Sequence, residues 1–241
     1  MNNVGVVIPA YNEEHDLPRV LNTVCSVDWL SQIVVVDDGS TDNTLGVAQE
    51  YTTIDARLKV EKLVENCGKG AAMLAGVQAI REEVEIVIFL DADLIGLTAA
   101  NLAKLCDPII EGRCDMTVAV FSHGYWRTDV SQWVFPNLDG QRCLLRDVAL
   151  AALEPLVDSG YGVEFGLTRY AKHHKWNVRH VDWRGTTHTM QEDSLGWKRG
   201  FQVRKVMYQQ ILKTWSRSMK FPLQQISESL PWYEKFQRLL D

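Results

Sequence analysis

No run in this 241-residue chain is apolar for long enough to cross a bilayer: the longest, "IVIFL" and "IVVV", fall far short of the ~20 residues that a helical span needs. The start of the chain lacks a basic stretch, an apolar run and a cleavage site, and passes almost at once into the strand-like "NNVGVVIPA", so no secretory leader is expected. Cysteine is sparse and odd in number, five in all with no C-x-x-C spacing, which excludes a disulfide framework and a structural zinc site. Internal repeats and low-complexity linkers are also missing. These absences favour a reducing cytoplasm, with peripheral contact on the cytoplasmic membrane face as the closest approach to lipid, and no nucleic-acid partner is expected.

What is present is enough apolar material for a core. At 46% hydrophobic and 23% charged residues, the chain suits one large or two small globular domains. The formal net charge of −6 is unevenly spread. From Trp197 onward nine Lys/Arg face three Asp/Glu, a local +6 that leaves −12 on residues 1–196. The same segment mixes Trp197, Phe201, Val206, Ile211 and Trp215 with Lys198, Arg199, Arg204, Lys205 and Arg217. Such a helical tail can lie on anionic headgroups, pack on the body of the protein, or support a homodimer.

The first half alternates strand and helix patterns. "VGVVIPA", "QIVVVDD", "RLKVEKLV" and "EIVIFLDAD" are strand candidates, separated by the helix candidates "NEEHDLPRVLNTVCS", "TLGVAQEYT" and "GKGAAMLAGVQAIREE". The first helix places Leu17, Val20, Leu21 and Val24 on one face. Ser and Thr oxygens of "GSTDNT" suit a cap for the second. Continuous rather than alternating apolar runs imply parallel strands covered on both faces, an α/β fold. The second half adds a helix in "NLAKLCDPIIEG", a strand in "DMTVAVF", an irregular aromatic connection containing Tyr125, Trp126 and Trp133, a helix in "GVEFGLTRYAKHH" and a strand in "NVRHVDWRG". A soft boundary near residue 112 divides a nucleotide-binding half, 1–112, from an acceptor-binding half, 113–190, of the same domain, with the tail at 191–241.

Ligands of open α/β sheets bind beyond the carboxyl ends of the strands, and three strand candidates end there in "PAYNEE", "DDGSTD" and "DAD". Asp91 and Asp93, one residue apart after a buried strand, can reach a hard divalent cation that clamps a diphosphate; Mg²⁺ and Mn²⁺ both prefer oxygen ligands. The competing reading makes Asp93 or Thr98 the cap of the next helix. Asp37 and Asp38 offer carboxylates to a base or ribose, or merely form an Asp-Gly turn. Lys69, between two glycines at a helix start, could meet a phosphate.

The ordered series "VVIPAYNEE", "IVVVDDGSTDNT", "NCGKGAAMLAGV" and "FLDADL" over residues 4–94 resembles the nucleotide-binding half of family 2 glycosyltransferases with the GT-A fold. That resemblance implies a Rossmann-like, mostly parallel central sheet flanked by helices, and a UDP- or GDP-linked sugar donor. It implies Pro9, Ala10, Tyr11, Glu13 and Glu14 beside the base, Asp38 near base or ribose, Lys69 near the nucleotide, and Asp91 and Ala92 against the donor. Asp91 and Asp93 would hold Mn²⁺ or Mg²⁺, with Asp93 in the catalytic set. "DGQRCLLRDVALAAL" is similar to the acceptor-side segment of polyprenyl-phosphate sugar transferases, which assigns Gln141, Arg142 and Arg146 to an acceptor phosphate; Arg146 could instead pair with Asp147. "GYGVEFGLTRYA" looks like the corresponding helix of glucosyl-3-phosphoglycerate synthases and implies Glu164 as a general base or orienting acid. A late histidine completes the metal shell in several GT-A enzymes, a role that falls to His188.

The "QxxRW" motif of processive synthases is missing, and "VEFG" stands where polymerising members carry "ED"; a processive synthase is not expected. The expected reaction is inverting transfer to a lipid-phosphate or other membrane-associated acceptor, or to a small phosphorylated one. A nucleotidyltransferase would need a "GxGTR"-like loop that "PAYNEE" does not supply. A non-catalytic nucleotide-sugar-binding scaffold is the third reading.

Overall fold

The computed structural model describes residues 3–122 and 140–188. The aromatic connection and the tail anticipated above lie outside them. Strands β1 (Val4–Ala10), β2 (Leu30–Asp37), β3 (Leu58–Lys62) and β4 (Ile86–Phe89) alternate with helices α1 (Leu17–Cys25), α2 (Thr44–Ile54) and α3 (Lys69–Ala79). After β4 come a short β5 (Leu94–Ile95), α4 (Ala99–Ile110) and β6 (Met116–Ser122). The later part contains β7 (Arg142–Leu145), α5 (Arg146–Leu153), a 3₁₀ helix (Glu154–Gly162), α6 (Val163–His173), β8 (Val178–Arg184) and β9 (Thr187–His188).

Seven strands form one sheet in the order β3-β2-β1-β4-β7-β6-β8. The continuous apolar runs have the cause expected of them: β1, β2 and β4 are buried on both faces. Successive side chains of a strand point to opposite faces. Val6, Ile8, Ile33, Val35 and Ile88 therefore meet α1, α2 and α4 through Leu17, Leu21, Ala48, Leu102 and Leu105. Val7, Val34, Val36 and Phe89 meet α3, α5 and α6 through Met73, Val77, Leu153 and Leu167. Each such Val, Leu or Phe contributes roughly 1.5–3 kcal/mol by leaving water. All five cysteines are free thiols.

Two features depart from the sequence pattern. β7 runs antiparallel to both β4 and β6, while the other pairings in the large sheet are parallel. Helix α1 begins at Leu17 rather than near Asn12, because Asn12 takes a left-handed φ of 58° and the turn around it is tied to the next loop. Residues 113–122 and 140–188 share the sheet with residues 3–112, through β7 between β4 and β6.

Candidate active site

Two loops at the carboxyl ends of β1 and β2 brace each other. The Asn12 N–H donates to Ser40 Oγ at 3.0 Å, and Asn12 Oδ1 accepts from the Thr41 N–H at 2.8 Å. Thr44 Oγ1 accepts from the Glu13 N–H at 2.7 Å, and Glu14 Oε2 accepts from the Asn43 N–H at 2.8 Å. Glu14 is thus occupied with loop structure, while Tyr11 stays 40% exposed at the rim. The start of α2 is served by Asp42, whose Oδ1 accepts from the Thr44 N–H at 3.0 Å. That corrects the expected Ser/Thr cap, because Thr44 Oγ1 is already taken by Asp42 and Glu13.

Asp38 is only 3% exposed. Its two oxygens accept from the Cys67 and Gly68 N–H groups at 2.8 and 2.9 Å. Burial raises its pKa while these two amides oppose the rise. Its carboxylate therefore pins the Gly68-Lys69-Gly70 turn, a structural duty that the base-or-ribose expectation did not foresee. Gly68 has φ 88° and ψ 159°, a region essentially closed to side-chain-bearing residues. The pinned turn aims Lys69 inward. Its Nζ donates to Asp91 Oδ1 and to Glu164 Oε1, both at 2.5 Å. Burial alone would lower the Lys69 pKa, but Asp91 and Glu164 outweigh it and raise it. Asp91 in turn is held below its ordinary range, Lys69 and His188 overcoming the effect of burial.

Asp93 and His188 meet through a two-stranded ribbon. β5 pairs antiparallel with β9, and Leu94 lies opposite His188. His188 Nδ1 is 3.0 Å from Asp93 Oδ1 and 3.8 Å from Asp91 Oδ2. The Phe121 ring packs edge-on against the imidazole with centroids 5.0 Å apart. Helix α4 is capped by Thr98, in a reciprocal box with Asn101. Asp93 is thereby released from the capping role.

Ligand atoms of Asp91, Asp93 and His188 all lie within 4.8 Å of one another. Two hard carboxylate oxygens and one imidazole fit Mn²⁺ well and Mg²⁺ less well. The local charge also fits a cation. Burial, then Asp93, Asp16, Asp91 and Asp42, push the Glu13 carboxyl up to about 8. Burial pulls the His188 imidazole down, but Asp93 and Asp91 lift it to about 9.

The "GQR" triplet behaves unlike its expectation. Gln141 is fully buried, and its Nε2 donates to Asp91 Oδ2 at 2.8 Å. Arg142 is also fully buried; its Nη2 donates to the Glu164 carbonyl and to Thr168 Oγ1, each at 3.0 Å. The guanidinium fastens α6 to the sheet and is not presented to an acceptor phosphate. Arg146 lies at the opposite edge, because β7 runs backwards. Arg142 pairs with Phe89 at the end of β4, while the Arg146 N–H reaches Glu85 before the start of β4. Arg146 Nη1 stands 3.3 Å from Asp147, and the acceptor assignment of Arg146 is corrected accordingly. Pro9 and Ala10, at the end of β1, and Ala92, just after β4, lie at the carboxyl edge of the sheet, Ala10 and Ala92 being buried. Gly140, the first residue of that triplet, has a duty that the motif does not reveal: a Cβ there would come within 2.5 Å of Asp91 Oδ2.

A family model described as Glycosyl transferase family 2 matches residues 5–147. Undecaprenyl-phosphate 4-deoxy-4-formamido-L-arabinose transferase of Proteus mirabilis is 38% identical over 99 residues, 39% of this chain and 30% of that protein. Polyprenol monophosphomannose synthase of Mycolicibacterium smegmatis is 38% identical over 110 residues, 44% of this chain and 41% of that protein. The chain thus spans well under half the length of these curated relatives. Among solved structures, glucosyl-3-phosphoglycerate synthase from Mycobacterium tuberculosis, in complex with Mn²⁺, UDP and glucosyl-3-phosphoglycerate, superposes with a TM-score of 0.68 at 22% identity, covering 92% of this chain and 81% of that one. The shared architecture is the GT-A-like sheet.

Proposed function

The chain belongs to glycosyl transferase family 2, and from that premise we propose that it moves a sugar from a nucleotide-diphosphate donor to a phosphate-bearing acceptor with help from Mn²⁺ or Mg²⁺. The observation that carries this reading is the convergence of Asp91, Asp93 and His188 beside Lys69 at the carboxyl edge of the sheet. Asp91, Asp93 and His188 are the residues that would hold the cation. A divalent ion there supplies charge neutralisation for the departing nucleoside diphosphate. Lys69 adds a fixed positive charge next to the same group. Tyr11, exposed at the rim, offers a ring face to the base, and Glu13 lies near enough to Asp93 and Asp91 to feel their charge.

Glu164 is the residue proposed to face the reacting sugar and acceptor. Against a hydroxyl acceptor it would take the proton in the transition state. Against a phosphate anion no base is required, and it would orient. The sequence relatives named for undecaprenyl-phosphate and polyprenol transfer support a lipid-phosphate acceptor. On that reading the basic tail after Trp197 is the proposed contact with anionic headgroups on the cytoplasmic membrane face, and no helix among the described residues is long and apolar enough to cross the membrane itself. The structural likeness to a synthase crystallised with glucosyl-3-phosphoglycerate favours a small phosphorylated acceptor as the second reading.

The test is a donor–acceptor matrix. UDP- and GDP-sugars, with and without Mn²⁺, are combined with undecaprenyl phosphate in micelles or with 3-phosphoglycerate, and the product is weighed by mass spectrometry. A glycosylated lipid phosphate supports the first reading and a glycosylated phosphoglycerate the second. Asp91→Ala and Asp93→Ala should each abolish turnover in a folded protein. Donor binding without transfer to any acceptor would move the assignment to a nucleotide-sugar-binding scaffold.

A further inference from the structure

Asp91 is gripped from three sides. Lys69 Nζ holds Oδ1 at 2.5 Å, Gln141 Nε2 holds Oδ2 at 2.8 Å, and Gly140 closes the back, where a Cβ would stand 2.5–2.9 Å from all three carboxyl atoms. The oxygen that Gln141 holds is also the one 3.8 Å from His188 Nδ1. Gln141 therefore governs the oxygen on the side of the cation-binding group, while Lys69 governs the other.

The choice of an amide at this place has a cost. Gln141 Oε1 is buried without a protein partner, a desolvation cost that an apolar side chain of equal length would avoid. The compensating gain visible in the structure is the hydrogen bond to Asp91. Gly140 fits the same purpose, since any larger residue would displace the carboxylate that Gln141 orients.

We propose that Gly140 and Gln141 are positioning residues that fix the rotamer of Asp91, and so set the affinity of the Asp91–Asp93–His188 group for a divalent cation. This inference rests on the cation-dependent reading above and reassigns Gln141 from the acceptor to the cation. The link works at one remove: Gln141 shapes the ligand, and the ligand holds the ion. Partners of this kind change metal affinity or activity about 10–100-fold when removed.

The test is titration of the whole chain with Mn²⁺ alone, read by loss of the free-ion electron paramagnetic resonance signal, with melting temperatures taken in parallel. Gln141→Met keeps length and volume but removes the donor; Gly140→Ala keeps Gln141 but crowds Asp91. Each should weaken Mn²⁺ binding about 10–100-fold and shrink the gap in melting temperature between cation-free and Mn²⁺-saturated protein. A purely structural role would lower both melting temperatures together and leave the gap intact. Mn²⁺ affinities within twofold of the unaltered chain in both folded variants would overturn the proposal. Should Gln141→Met fail to fold, Gln141→Asn, which shortens the reach of the amide, takes its place under the same criterion. Failure of the unaltered chain to bind Mn²⁺ would overturn the cation reading and this inference together, whereas normal binding unaffected by either variant would overturn this inference alone.

Discussion

Raising the pH should tighten Mn²⁺ binding through His188 and loosen the cation-free fold through His188 and Glu13. The His188 imidazole stands 3.0 Å from Asp93 and 3.8 Å from Asp91, and the two acids lift its pKa to about 9 against the pull of burial. At pH 7 the ring is therefore protonated, and a cation can take Nδ1 only by displacing that proton. One displaced proton makes the apparent affinity rise about tenfold per pH unit until the pH nears the pKa. The stability consequence has the opposite sign. A folded-state pKa above the unfolded value of 6.5 gives a contribution that is complete below about 6.5 and lost as the pH climbs through about 9. At about 1.4 kcal/mol per tenfold change in proton affinity the full effect would be about 3 kcal/mol. The His188 side chain is 31% exposed, so solvent screening leaves roughly 1–2 kcal/mol of it. Glu13, raised to about 8, adds the same sign between its unfolded value and that point. Calorimetric Mn²⁺ titrations at pH 6.5, 7.5 and 8.5, in two buffers of different ionisation enthalpy, measure affinity and proton release together. A flat affinity with no protons released over that range would refute the reasoning, as would an unchanged slope in His188→Gln.

Other perturbations separate structural from chemical duties. Lys69→Met should lower stability by about 2–4 kcal/mol in urea denaturation, because it leaves Asp91 and Glu164, 17% and 8% exposed, without their shared cation; divalent cation should recover part of the loss. Arg142→Met should reduce stability by about 2–4 kcal/mol through release of the Glu164 carbonyl and Thr168; a fully stable variant with only a raised acceptor KM would restore the phosphate-binding role. Asp38→Ala removes the acceptor for the Cys67 and Gly68 amides and should cost about 1–3 kcal/mol, with faster hydrogen exchange at both amides as the specific readout.

The sheet was legible in the sequence where burial on both faces wrote itself as unbroken apolar runs, as in β1, β2 and β4. The reversal of β7 was not. "RCLL" is too short and too uniformly apolar for direction to leave a mark, and that direction decides where Arg142 and Arg146 go. Asp91, Asp93, Lys69 and Glu164 were singled out and stand together, and His188 joins them through the pairing of Leu94 with His188. The duties of Asp38, Glu14 and Arg142 escaped detection because a buried charged group serving backbone amides and carbonyls carries the same letter as one serving a ligand. The duty of Gly140 is not legible because it consists in the absence of a side chain next to Asp91, a contact distant in sequence that composition and periodicity do not encode.

The backward course of β7 has a further consequence for how such a chain can change over time. β6 ends at Ser122 next to Arg184 of β8, and β7 begins at Arg142 opposite Phe89, so both ends of the intervening connection are anchored at the catalytic rim. Because those two ends are fixed by pairing within the sheet, a change of chain length between them leaves the register of β4, β6, β7 and β8 intact at a small loop-closure cost.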